Sequence, residues 1–134
     1  MSDIERGAAA KEQILVLDDD EMVREVAVRQ LTSLGYRVMA ASTGTEALEM
    51  LARIGSIDLL FSDLVMPGEM GGREVAEKAR VICPDLKVLF ASGYSDDVPG
   101  DHGAAAESVP LIVKPYRKKD LAEKIQEILD STRR

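Results

Sequence analysis

The chain has little of the residue types that most often build metal or nucleophile sites. Its one cysteine, Cys83, excludes an internal disulfide framework and a cysteine-based zinc cluster. Its one histidine, His102, excludes a His-rich metal site and leaves a Ser-His or Cys-His nucleophilic machine without support. No apolar run approaches the roughly 20 residues that a membrane span needs. The opening stretch MSDIERGAAAKEQ lacks the basic-then-apolar layout of a secretory signal, so a cytoplasmic protein with no membrane partner is expected. Basic residues are in the minority: 17 Lys and Arg against 24 Asp and Glu give a formal charge of −7. That balance argues against direct nucleic-acid binding, which needs a basic face. Any chemistry must come from carboxylates, lysine, serine or backbone groups.

What is present is enough for one packed domain. The chain has 134 residues and 46% of them are hydrophobic. Residues 1–12 are small, polar and charged, and read as a flexible N-terminal tail. A regular pattern occupies 13–131, and 132–134 form a short C-terminal tail. Ile14-Leu15-Val16-Leu17 is an apolar run too short for a helix and apolar on both faces, as in a buried parallel strand. Four similar runs follow at Arg37–Ala41, Ile57–Ser62, Lys87–Ser92 and Val109–Val113. Helical periods separate them. Val23, Val26, Ala27, Gln30, Leu31 and Leu34 trace one face, with Gly35 placed to end the helix. Ala47, Leu48, Leu51 and Ala52 mark a second helix; Val75, Ala76 and Ala79 a third, ended by Pro84; Leu121, Ile125, Ile128 and Leu129 the last. Between the fourth and fifth strands, residues 93–108 carry Gly93, Pro99, Gly100 and Gly103, so a short or mobile helix is expected there. Strands alternating with helices predict an α/β fold: a flavodoxin-like, doubly wound, five-stranded parallel sheet with about five helices.

In such a sheet, ligands bind beyond the carboxyl ends of the strands. That edge collects Asp18, Asp19 and Asp20 after the first strand, Asp63 after the third, Ser92-Gly93 at the fourth and Lys114-Pro115 at the fifth. Converging carboxylates repel one another, and a hard divalent cation such as Mg2+ relieves this with oxygen-only ligands. An aspartate can also accept a phosphoryl group from a good donor. Lys114 offers a point charge to phosphoryl oxygens, Ser92 a hydroxyl, and the backbone near Leu64 and Gly93 further donors.

The ordered segments ILVLDDD, DLLFSDLVMPG, VLFASGY and LIVKPY together resemble a response-regulator receiver domain of two-component signalling, across about residues 13–131. The resemblance implies that Asp63 is the phosphoacceptor. It implies that Asp18 and Asp19 hold Mg2+ with Asp63, and that Val65 contributes a backbone carbonyl. It implies that Lys114 pairs with the phosphoryl group, that Ser92 is the switch hydroxyl, and that the Lys114-Pro115 bond is cis. The implied partners are a sensor histidine kinase or histidine phosphotransfer protein upstream and a protein of unspecified identity downstream. The output face would be formed by the fourth helix, the fifth strand and the last helix. Self-catalysed phosphorylation and dephosphorylation are implied, rather than an enzyme acting on a separate substrate. Leu111 stands where the family often has an aromatic switch, with Tyr94 as a candidate replacement. The segment Pro67-Gly68-Glu69-Met70-Gly71-Gly72 is one residue longer than the commonest form and resembles receivers of hybrid kinases; stand-alone receivers share the FASGY-like stretch.

Plainer roles fit several residues. Asp20 suits a helix cap better than a third metal ligand. Cys83 suits a small, partly buried apolar position. His102 suits an exposed loop, Met66 and Met70 suit loop packing, and Arg117, Lys118 and Lys119 suit a solvated helix face. Two other functions remain. Asp18 and Asp20 have the two-residue spacing of a Mg2+-dependent aspartyl phosphohydrolase, although that leaves Asp63 without a role. A receiver-like interaction module that no longer uses phosphate is the third reading, and the complete acidic set counts against it.

Overall fold

The computed structural model describes residues 12–65, 71–93 and 110–131. Their elements run β1 (Gln13–Leu17), α1 (Glu21–Ser33), β2 (Arg37–Ala41), α2 (Gly44–Ile54), β3 (Leu59–Asp63), α3 (Gly72–Ile82), β4 (Lys87–Ser92), β5 (Leu111–Val113) and α4 (Lys118–Ser131). The five strands form one parallel sheet in the order β2-β1-β3-β4-β5. This is the doubly wound, flavodoxin-like architecture that the sequence predicts. The order reverses between β1 and β3, and their carboxyl ends lie side by side.

Each side of the sheet has its own apolar layer, set by the two-residue period of the strands. Leu15, Leu17, Leu60, Val88 and Phe90 pack under α2 and α3. Ile14, Val16, Leu59, Phe61, Leu89 and Ile112 pack under α1 and α4. The fully buried Leu31 of α1 and Leu121 and Ile125 of α4 close the second layer. Each such side chain contributes about 1.5–3 kcal/mol by leaving water. Cys83 packs half-buried against the first layer, as expected of a small apolar residue.

Local chemistry sets the helix ends. Asp20 caps α1, its carboxylate accepting the backbone N–H groups of Met22 and Val23 at 2.9 and 3.1 Å. Gly35, at φ 99°, follows the last residues of α1. Thr43 caps α2 through the Glu46 N–H, and Glu46 reaches back to the N–H of Ser42.

Three boundaries differ from the sequence reading. β3 begins at Leu59 rather than Ile57, because the Asp58 carboxylate accepts the N–H of Gln13 and the Asp58 backbone bridges Gln13 and Lys87. It runs on to Asp63, which pairs with Ala91 across the ladder. β5 is only Leu111–Val113: Pro110, with no N–H to donate, stands outside it, although its carbonyl accepts the Phe90 N–H at 3.1 Å. The helix expected within 93–108 lies outside the described residues apart from Gly93. So do both expected tails apart from Glu12, the loop residues Met66, Pro67, Gly68, Glu69 and Met70, and the residues Tyr94, His102 and Val109.

Candidate functional site

The strand period decides which edge residues meet. Asp18 continues the Ile14, Val16 face of β1, Asp63 the Leu59, Phe61 face of β3, and Lys114 the Ile112 face of β5. All three therefore emerge on the α1/α4 side of the sheet. Lys114 Nζ donates to Asp63 Oδ1 at 3.1 Å and stands 3.9 Å from Asp18 Oδ2. Carboxylate oxygens of Asp18, Asp19 and Asp63 lie within 4.8 Å of one another. Asp18 and Asp63 are buried, at 6% and 8% exposure, whereas Asp19 is exposed.

Ser92 belongs to the other face. It shares the face of Val88 and Phe90, and its buried hydroxyl donates to the Gly93 carbonyl at 3.1 Å. The sequence places Ser92 and Asp63 at one edge; the strand period turns their side chains to opposite faces of it. Val65, half-exposed, lies two residues beyond Asp63. Asp20, the second acid of the phosphohydrolase reading, has its carboxylate engaged as the α1 cap. Leu111 pairs with Phe90 and packs against the α2/α3 layer, so β5 carries no ring there.

Burial dominates the electrostatics of the pocket. It raises the Asp63 carboxyl above its ordinary value, against the downward pull of the Lys114 hydrogen bond and charge; Asp18 and Asp19 push it up further. Asp18 is also raised, by burial first and then by Asp19 and Asp20, against the Asp20 N–H that its carboxylate accepts and the charge of Lys114. Tyr116 is pushed up to about 12 by burial and by the charges of Asp18 and Asp63. Its ring meets Phe61 edge-on at 6.0 Å, beside the acids. The Lys114–Pro115 peptide that carries these groups past the sheet is cis.

The donor set suits a hard divalent cation. Three carboxylates converge, all first-choice ligands are oxygens, and two acids are raised by burial and by the charges of neighbouring aspartates, which a cation would relieve.

Sequence reasoning missed two further residues. Gly72 opens α3 against the end of β3, its N–H donating to the Leu64 carbonyl at 3.0 Å. A Cβ there would stand 2.4 Å from the Asp63 carbonyl oxygen, so only glycine admits this approach. Arg24 reaches back from α1 to the Asp18 carbonyl at 2.8 Å.

A doubly wound parallel sheet with a lysine-bridged acidic pocket at its topological switch point defines the class. The chain belongs to the response regulator receiver domain family, whose model matches residues 14–126. It is similar to the sensor kinase CckA of Brucella abortus (strain 2308), with 37% identity over 118 residues, 87% of this chain and 12% of that protein. It is also similar to the response regulator receiver protein CpdR of the same strain, with 34% identity over 117 residues, 87% of this chain and 96% of that protein. Among solved structures, the receiver domain of the hybrid histidine kinase CckA aligns with a TM-score of 0.72 at 35% identity, covering 87% of this chain and 98% of that one. A receiver domain protein from Clostridium thermocellum aligns with a TM-score of 0.80 at 26% identity, covering 91% and 97%. This is therefore a receiver domain of two-component signalling, spanning nearly all of one relative and a small part of the other. No helix among the described residues is long and apolar enough to cross a membrane.

Proposed function

We propose that the chain is a phosphoacceptor switch that takes a phosphoryl group onto Asp63 from a phosphohistidine of a sensor histidine kinase or histidine phosphotransfer protein. The observation that carries this is the 3.1 Å bond from Lys114 Nζ to Asp63 inside a cluster of three carboxylates. A carboxylate oxygen of Asp63 attacks phosphorus. The phosphorus–nitrogen bond breaks, and its electron pair returns to the imidazole. Lys114 balances charge on the phosphoryl oxygens, and the backbone N–H groups beyond Asp63 and Ser92 supply further donors. Asp18, Asp19, Asp63 and the Val65 carbonyl would hold Mg2+, which when bound supplies positive charge for the phosphoryl oxygens.

A protein donor suits the rim of this pocket. Met22, Val26, Pro115 and Tyr116 line an apolar groove of about 300 Å³ beside Lys114, and Met22 is 75% exposed. After transfer, Ser92 exchanges its bond to the Gly93 carbonyl for one to the phosphoryl group. That exchange shifts an existing equilibrium at the face formed by β5 and α4. Leu111 leaves the aromatic part of this coupling to another residue. The domain acts on its own side chain and is not an enzyme with a separate substrate. We place it in the cytoplasm, with a protein as its output partner.

A beryllofluoride titration followed by heteronuclear NMR tests the proposal. With Mg2+ present, the amides beside Asp63, Ser92 and Lys114 shift in the wild type and stay still in Asp63→Asn. No shift in the wild type contradicts it.

A further inference from the structure

We infer that Arg24 is a positioning residue for the acidic pocket, fixing the β1–α1 loop so that Asp18 and Asp19 present their carboxylates to a divalent cation. This rests on the metal site proposed above. Asp18 is the hub of the loop. Its N–H donates to the Ala41 carbonyl at 3.3 Å, its Oδ1 accepts the Asp20 N–H at 2.9 Å, and its carbonyl accepts Arg24 Nη1 at 2.8 Å. Arg24 also donates its own backbone N–H to the Asp20 carbonyl at 2.9 Å. One residue thus holds the loop on both sides of Asp19.

That matters because Asp19 has no hydrogen-bond partner among the described residues, and its side chain is exposed. Asp63 is oriented by Lys114 and Asp18 by the Asp20 N–H. Only the backbone orients Asp19, and Arg24, together with the Asp20 cap, ties that backbone to α1. The guanidinium acts through a carbonyl, not by pairing with an acid. The leading charges on Asp18 and Asp63 are those of Lys114 and the neighbouring aspartates. Groups that orient metal ligands in this way commonly change affinity 10- to 100-fold when removed.

The test is thermal unfolding of the full chain across a MgCl2 series, against an EDTA baseline. It compares wild type, Arg24→Met, which keeps the stem and loses the donors, and Arg24→Lys, which keeps a donor and the charge. The MgCl2 concentration giving the half-maximal rise in Tm should move up about tenfold in Arg24→Met, with Arg24→Lys in between. A purely structural role would lower Tm equally with and without Mg2+ and leave that midpoint in place in both variants, overturning the inference alone. A wild type whose Tm ignores Mg2+ would overturn the metal site and the inference together. Should Arg24→Met fail to fold, an unshifted midpoint in Arg24→Lys overturns the inference and an intermediate shift supports it.

Discussion

Replacing Asp19 by Asn should make the metal-free protein more stable and its response to Mg2+ smaller. The three carboxylates lie within 4.8 Å of one another. At that distance two unit charges repel by about 1 kcal/mol in a water-like medium, the right limit for an exposed side chain. Asp19 forms two such pairs, with Asp18 and Asp63, and salt screening roughly halves their sum, leaving about 1 kcal/mol. No cation contact is lost with it, since Lys114 sits on Asp63 and Asp18. In EDTA the variant should therefore melt about 4 °C higher than wild type. At a hundredfold excess of Mg2+ over its dissociation constant, binding adds about 2.7 kcal/mol to wild type, or about 10 °C in Tm. A tenfold weaker site leaves the variant about 1.4 kcal/mol of response at the same concentration. The two melting temperatures should thus converge as Mg2+ is added. Calorimetric scans across a MgCl2 series read this directly. Equal Mg2+ responses, or a lower Tm for Asp19→Asn in EDTA, would refute the reasoning.

Three other perturbations reach the same edge. Gly72→Ala places a methyl 2.4 Å from the Asp63 carbonyl oxygen and should cost about 1–3 kcal/mol in urea unfolding, an unchanged midpoint being the contrary result. Asp20→Ala removes the α1 cap and should cost about 1 kcal/mol by the same assay; an unaltered midpoint would mean that the cap contributes nothing. The pH dependence has a definite sign. Asp18 and Asp63 are raised above 3.8 on folding, so the native state holds their protons longer than the unfolded chain, and stability falls as pH rises from about 4 through the raised values. In EDTA, the urea midpoint of Asp18→Asn should gain on wild type over that rise; a constant gap would contradict the assignment.

The fold was legible because each strand is a short run apolar on both faces and each helix keeps a 3.6-residue stripe. Asp18, Asp63 and Lys114 were legible as a group because parallel strands bring their carboxyl ends to one edge. Side-chain direction at that edge was less so. Ser92 sits one residue off the face of Asp63, a matter of register that depends on where β4 stops. The boundaries of β3 and β5 escaped because Asp58 and Pro110 divert the ladder through a carboxylate and a missing N–H. Gly72 and Arg24 were invisible for a different reason. Their partners are backbone carbonyls, which every sequence has and no sequence marks.

The most direct measurement is intact mass after incubation with acetyl phosphate, with and without Mg2+, on wild type and Asp63→Asn. A single phosphoryl mass gained by wild type, dependent on Mg2+ and lost in Asp63→Asn, is the predicted result. A gain that persists in Asp63→Asn, or one indifferent to Mg2+, would contradict the account of the pocket.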